Sequence, residues 1–253
     1  MTLSVIIPVR NERDTILEVI ERVRSVDVGV PKEVIVVDGA STDGTRELLE
    51  LVKGVTLIAE EQARGKGIAV RTGIEHARGN VVVIQDGDLE LDPAAFAPML
   101  ERLAGGDADA VYGVRFARGR GTTPWMSYLG NRAFSLVTST LYLHPLNDIL
   151  TAYKMMRTDV ARSLPLTCRG FDLDAEITCL LLRRGYRIAQ VPVEYRPRTR
   201  AQGKKLGFSA GWGVLKAILR VRFERAAPSP ALNPSETVES PPEATTPAKR
   251  GEE

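Results

Sequence analysis

Short aliphatic runs alternate with amphipathic stretches along the first half of the chain, and each run ends in polar residues. Leu3-Ser-Val-Ile-Ile7 opens the series, and Val81-Val82-Val83-Ile84 is its most apolar member. A run of four aliphatic residues, three of them valine, reads as a strand buried on both faces. The pattern predicts strands over residues 3–9, 33–37, 55–59, 81–84 and 110–113. Helices are predicted between them over 13–24, from a cap near Ser41-Thr-Asp43 to about 53, over 66–77 and over 93–103. This alternation implies a mainly parallel sheet covered by helices on both faces. Helix signals return at 127–142 and 174–184, and a strand at 187–193 follows. No internal repeat is visible.

Chemistry gathers at three of the strand ends. Pro8-Val9-Arg10-Asn11-Glu12 follows the first strand, and Asp38-Gly39-Ala40-Ser41-Thr42-Asp43-Gly44-Thr45 follows the second. Gln85-Asp86-Gly87-Asp88-Leu89-Glu90 follows the fourth. Open α/β sheets bind ligands beyond the carboxyl ends of their strands, so the three segments fall along one edge of one sheet. Two carboxylates one residue apart in a tight turn can hold a hard cation that still has room for diphosphate oxygens. The competing reading of each segment is structural: an acidic surface turn at Asp86-Gly-Asp88, a helix cap at Ser41 or Asp43, a turn at Asp43-Gly44.

Composition narrows the class. The 253 residues are 43% hydrophobic, enough for a substantial core. The net charge of +2 is unevenly spread, with nine Lys or Arg and one acid between Arg196 and Arg225. That stretch fits a phosphate-rich or anionic partner, or a solvated basic helix. Phe208, Trp212, Leu215, Leu219 and Phe223 recur there at helical spacing, with Lys216 and Arg220 on another face. Such a helix either lies in a membrane surface or packs its stripe on the protein. From Pro228 onward Pro, Ser, Glu and Thr dominate without aromatics, which predicts a disordered tail. The two cysteines, Cys168 and Cys179, are not spaced for zinc and are expected to be reduced core thiols. No signal peptide is expected, and the longest charge-free run, 133–147, is too short to span a bilayer.

Familiar nucleotide motifs do not fit. No G-x-G-x-x-G follows the first strand. Arg64-Gly65-Lys66-Gly67 lacks the first glycine and the final Ser/Thr of a P-loop; Lys66 there either reaches a phosphate or is solvated. The combination that is present resembles a family 2 glycosyltransferase with a GT-A fold. It comprises Val5-Ile-Ile-Pro8 with Asn11-Glu12, Val37-Asp38 with Ser41-Thr-Asp-Gly-Thr45, Gly65-Lys-Gly67 and Asp86-Gly-Asp88. Gly113-Val-Arg115, Gly130-Asn-Arg132, Asp148 with Tyr153 and Arg157, Val191-Pro-Val193 and Arg200-Ala-Gln-Gly-Lys-Lys205 are similar to the polyprenyl-phosphate hexose synthases, the dolichyl-phosphate mannose synthases among them.

Periodicity and composition predict a basic amphipathic helix over 206–227 and a disordered tail over 228–253, and the resemblance implies a Rossmann-like GT-A domain over 1–205 before them. It implies that Pro8, Asn11, Glu12 and Asp38 border the nucleoside, with Lys66 and Asp86 also on the donor. Asp86 and Asp88, with Glu90, would hold Mg2+ or Mn2+. Arg115 and Arg132 would contact phosphates, and Lys205 would lie on a loop closing over the site. Three departures stand out: Gly39 where many relatives carry a second acid, Glu90 where many carry Gln, and Lys204 where many carry Ser.

The implied reaction is inverting transfer of a hexose, from GDP-mannose or UDP-glucose, to a polyprenyl phosphate. An ionised phosphate attacks without a general base, and Asp148 is the one base candidate here. The implied setting is peripheral on the cytosolic membrane face, with a separate membrane subunit possible and no nucleic acid. The rival readings are a glycosyltransferase with a sugar or other hydroxyl acceptor, a sugar nucleotidylyltransferase, and a non-catalytic nucleotide-binding protein.

Overall fold

The computed structural model describes residues 1–117, 119–198 and 209–224. Seven strands form one sheet: β1 Leu3–Val9, β2 Lys32–Asp38, β3 Thr56–Ala59, β4 Val81–Ile84, β5 Ala110–Val114, β6 Lys154–Arg157 and β7 Ile188–Pro192. Their order is β3-β2-β1-β4-β6-β5-β7. β1 pairs in parallel with β2 and β4, and β2 with β3. β6 runs antiparallel to both β4 and β5, and β7 is parallel to β5. The carboxyl ends of β1, β2, β4, β5 and β7 therefore reach the same edge.

The helices are α1 Ile16–Ser25, α2 Thr45–Glu50, α3 Lys66–His76, α4 Phe96–Ala104, α5 Trp125–Tyr142, α6 Thr158–Ser163, α7 Leu173–Arg183 and α8 Ser209–Phe223. Successive residues of β1 point to opposite faces, and both faces are apolar. Ile6 joins a core built with α3, α6, α7 and α8. Val5 and Ile7 join a second core with α1 and α4. Burial on both sides explains why these strands read as unbroken apolar runs.

Two features depart from the pattern in the sequence. Lys154-Met-Met-Arg157 carries no strand signal, yet it fills the gap between β4 and β5. Sheet pairing, not local preference, decides its conformation. α2 stops at Glu50 and not near 53, because the chain tightens there: the Leu51 N–H bonds the Leu48 carbonyl at 3.2 Å and the Val52 N–H the Leu49 carbonyl at 3.1 Å. Of the helix expected over 206–227, the described residues hold α8, Ser209–Phe223, and Glu224 after it; 206–208, 225–227 and the tail over 228–253 lie outside them.

α5 is unusual. Its buried residues are Asn131, Ser135 and Thr138, spaced to form one inward face. Its outward face carries Trp125, Met126, Leu129, Leu136 and Val137, all exposed.

Candidate active site

The loops after β1, β2 and β4 meet at the common sheet edge. Asn11, in the left-handed region at φ 55°, donates its backbone N–H to Ser41 Oγ at 2.9 Å and accepts from the Thr42 N–H at 2.8 Å. The Glu12 N–H bonds Thr45 Oγ1 at 3.0 Å, and the Arg13 N–H bonds Asp43 Oδ2 at 3.2 Å. Ser41, Asp43 and Thr45 thus spend their polar atoms joining two loops. Asp38 is fully buried, held by Arg46 Nε at 2.8 Å, and Gly39 forms the wall of the cleft in front of it.

The acidic segment after β4 is clasped by cations. Lys66 Nζ lies 2.8 Å from Asp86 Oδ1 and 3.7 Å from Asp174 Oδ2. Asp174 in turn receives Lys154 Nζ at 3.2 Å. Lys66 is delivered by a close approach of α3 to the segment before α7. A Cβ on Gly65 would lie 2.2 Å from the Arg169 carbonyl oxygen, and one on Gly67 2.2 Å from that of Cys168. Both positions require glycine for space, and Gly65 also for its φ of 100°.

Asp88 Oδ2 accepts from Arg198 Nη2 at 3.0 Å, and the same guanidinium binds Glu12 Oε2 at 2.9 Å through Nη1. Glu90 accepts from the Tyr195 hydroxyl at 3.0 Å and from the Arg198 N–H at 2.8 Å. Burial, followed by the neighbouring charges of Asp86 and Glu90, pushes the Asp88 carboxyl up to about 7 despite Arg198 beside it.

Arg115, just past β5, donates to Asp148 three times: N to Oδ2 at 3.1 Å, Nε to Oδ2 at 2.8 Å and Nη2 to Oδ1 at 2.8 Å. Its guanidinium carbon lies 5.2 Å from the ring centroids of both Phe116 and Tyr195. Burial works against the Arg115 charge, but Asp148 outweighs it and the pKa is raised.

These groups line a cleft of about 1350 Å³. Single small-molecule pockets run roughly 300–1,000 Å³, so this one has room for two substrates. Its lining is polar at Asn11, Glu12, Asp86, Asp88 and Glu90 and apolar at Trp125, Met126, Leu129, Phe134 and Phe171, and the two kinds meet at Lys66, whose Nζ lies 5.7 Å from the Phe171 ring centroid.

The structure brings together most of the residues expected from sequence. Pro8, Asn11, Glu12, Lys66, Asp86, Asp88, Glu90 and Arg115 share the cleft. Asp38 and Asp148 stand behind its wall in ion pairs. Arg132 is exposed on α5 with Nη1 3.4 Å from Asn147 Oδ1, off the cleft wall. Lys205 lies outside the described residues. Tyr195, Arg198, Asp174 and Phe171 also line the cleft and stand in no motif of the sequence. Only the basic character of 196–225 hinted at Arg198.

Asp86 and Asp88 suit a hard divalent cation. Both are oxygen donors, one residue apart on the cleft lining. Among the described residues no three His, Cys, Asp or Glu converge on one point. Asp86 turns to Lys66, Asp88 to Arg198, and both oxygens of Glu90 are engaged by the 195–198 segment. Glu90, expected as a third ligand, holds that segment in place in the structure.

The chain is similar to a number of known proteins. The model of glycosyl transferase family 2 matches residues 4–164. The dolichyl-phosphate hexose transferase of Haloferax volcanii is 30% identical over 222 residues, covering 88% of this chain and 94% of that protein. Glycosyltransferase AglJ of the same organism is 34% identical over 198 residues, 78% of this chain and 63% of its own length. The dolichol-phosphate mannosyltransferase of Pyrococcus furiosus is 28% identical over 215 residues, 82% of this chain and 60% of its own length. The chain thus spans less than two thirds of these last two relatives. Among solved structures, glucosyl-3-phosphoglycerate synthase from Mycobacterium tuberculosis with Mn2+, UDP and phosphoglyceric acid gives a TM-score of 0.68 at 25% identity, covering 88% of this chain and 78% of that one. The same enzyme with Mg2+ and UDP gives 0.67 at 25% identity, covering 87% and 79%.

Proposed function

From the premise that the chain belongs to glycosyltransferase family 2, with a GT-A fold and a likeness to dolichyl-phosphate hexosyltransferases, we propose that it moves a hexose from a nucleotide sugar to a polyprenyl phosphate. The carrying observation is that one cleft is lined both by an acidic, cation-ringed cluster and by aromatic and aliphatic side chains. A nucleotide sugar needs the first and an amphipathic lipid phosphate needs both. GDP-mannose and UDP-glucose are the leading donors. The nucleoside lies along Pro8, Asn11, Glu12 and Gly39.

Asp86 and Asp88 would hold Mg2+ or Mn2+, which supplies charge stabilisation to the departing diphosphate. Lys66 fixes Asp86 and adds charge beside it. Arg115 is already oriented by Asp148 and by two aromatic rings, so it meets a phosphate without reorganising. Loss of one such preorganised group costs about 3 kcal/mol in the barrier. Asp148 is committed to Arg115 and acts as a positioning residue. A lipid phosphate, already ionised, needs no base. It attacks the anomeric carbon opposite the leaving diphosphate and inverts that centre. Lys205 is proposed to contact phosphate. The setting proposed is the cytosolic membrane face.

The likeness to an enzyme solved with UDP and phosphoglyceric acid favours a second reading, a soluble hydroxyl acceptor. Labelled GDP-mannose and UDP-glucose, each offered with polyprenyl phosphate or 3-phosphoglycerate and a divalent ion, separate the two. Label in the organic phase supports the first reading; label moved only into phosphoglycerate supports the second and overturns the first.

A further inference from the structure

α5 turns a polar face inward. Asn131, Ser135 and Thr138 are its buried residues, and of the three only Asn131 lines the cleft. Ser135 is engaged: its Oγ accepts from the Ile149 N–H at 3.3 Å. Asn131 is not. It is 4% exposed, and among the described residues neither its Nδ2 nor its Oδ1 finds a hydrogen-bond partner. A buried amide with both ends unspent destabilises the free protein. An apolar side chain of the same size would serve the packing better. Such a group on a cleft wall calls for a ligand that completes it.

The contacts of α5 tie it to the charged part of the cleft. Arg132 Nη1 lies 3.4 Å from Asn147 Oδ1, and Ser135 meets Ile149, so the 147–149 segment runs along the helix. Asp148, between those two contacts, grips Arg115. α5 is thereby fastened to the segment that orients Arg115, and Asn131 and Arg115 line one cleft. Their chemistry differs. Arg115 and Lys66 offer charge, which suits phosphate. Asn131 offers a neutral donor and a neutral acceptor. A phosphate would satisfy Nδ2 and set its own oxygens against Oδ1. A lipid chain would satisfy neither. A hydroxyl both donates and accepts, so two neighbouring hydroxyls complete both ends of the amide. In a nucleotide sugar such pairs belong to the ribose and the hexose, and the nucleoside proposed above lies along Pro8, Asn11, Glu12 and Gly39.

We propose that Asn131 reads the transferred hexose: Nδ2 donates to one ring hydroxyl, and Oδ1 accepts from its neighbour. The inference rests on the nucleotide-sugar donor argued above and holds for either acceptor. α5 turns Arg132 outward and Asn131 inward, so of this pair the neutral residue meets the substrate. Removing either hydroxyl from the sugar leaves one end of the amide buried and unpaired again, which is how a site of this kind rejects the wrong sugar.

Calorimetric titration of the full chain with Mn2+ compares GDP, UDP, GDP-mannose and UDP-glucose on wild type, Asn131→Leu and Thr138→Val. Thr138→Val is the control, because the Thr138 hydroxyl is also buried without a partner among the described residues but stands off the cleft lining. The sugar donor that wild type prefers is then offered as its series of monodeoxy hexoses. Asn131→Leu should bind the nucleoside diphosphates as wild type does and the nucleotide sugar about tenfold more weakly. It should melt no lower than wild type without ligand, which a structural asparagine would not allow. Thr138→Val should bind every ligand as wild type does. Wild type should lose about tenfold on two adjacent monodeoxy donors, and Asn131→Leu should lose nothing further on those two. Equal binding of the nucleotide sugar by wild type and Asn131→Leu, a parallel loss on GDP or UDP, a lower melting temperature with weaker binding of every ligand, or a wild type indifferent to all monodeoxy donors would each overturn the inference. A wild type that binds neither nucleotide sugar would remove the donor reading and this inference together. Sugar reading by Asn131 with no label reaching polyprenyl phosphate would leave the inference standing and remove the proposed acceptor.

Discussion

Asp148→Asn separates positioning from base catalysis. The Asp148 side chain is fully buried, and Arg115 is 15% exposed, so their pair is largely removed from water. Asparagine keeps the shape and one acceptor but forfeits the charge and the two-pronged grip. Breaking a buried pair from one side costs about 3–5 kcal/mol. Because part of the bonding survives, the lower end applies, and about 3 kcal/mol in a domain of this size lowers Tm by roughly 6–12 °C. Arg115→Met should cost a similar amount, because it strands the buried carboxylate. Arg115→Met combined with Asp148→Leu should recover much of the loss, since an apolar pair replaces an ionic one. Activity should follow the same non-additive pattern: each single variant loses about 100-fold in kcat/KM, roughly 3 kcal/mol, and the double variant loses little more. Thermal melts and steady-state kinetics on the four proteins supply the cycle. If Asp148→Asn melts with wild type while kcat collapses and the ascending limb of the pH–rate profile disappears, Asp148 is a base and the positioning account is refuted.

Arg198→Gln should tighten Mn2+ binding by about tenfold, because the guanidinium that now occupies Asp88 is a charge-assisted partner of the ~1.5–3 kcal/mol class; electron paramagnetic resonance titration with Mn2+ alone reads it, and an unchanged affinity contradicts competition at Asp88. Gly67→Ala should cost about 1–3 kcal/mol by overpacking against the Cys168 carbonyl and should raise the donor KM by displacing Lys66, both visible in melts and kinetics. Burial alone would raise the Glu33 pKa, but bonds from Ser4, Arg78 and Gly79 outweigh it and hold the carboxyl below its ordinary value. The folded-state pKa is depressed, so this stabilisation is present above the unfolded pKa and is lost as pH falls through the folded one. Urea midpoints of Glu33→Gln should therefore drop at neutral pH and fall less steeply than wild type in acid, and parallel acid slopes would show that Glu33 contributes nothing.

What the sequence disclosed follows from what repeats locally. β1, β2 and β4 were legible because burial on both faces demands unbroken aliphatic runs, and their ends placed Asn11, Glu12, Asp86 and Asp88 on one edge. Long-range pairing was not legible. Arg198 meets Asp88 across 110 positions, and nothing near either residue marks the other. Asp38 and Asp148 look alike as free acids in the sequence, while burial commits each to one arginine. Lys154–Arg157 became a strand only because two neighbours needed a partner. α5 teaches a different limit. Periodicity gives the direction of an apolar stripe around a helix but not whether that stripe faces the core, and here Asn131, Ser135 and Thr138 face inward.

The account stands most directly on the product formed by the purified chain. Full-length protein, Mn2+, nucleotide sugar and polyprenyl phosphate should yield a lipid phosphodiester whose hexose has the opposite anomeric configuration to the donor, resolved by mass spectrometry and carbon–phosphorus couplings in NMR. The account predicts that lipid-linked product, and predicts none from Asp88→Asn or in excess chelator. A retained anomeric configuration, a hexose joined to a hydroxyl, or full turnover in chelator would contradict it.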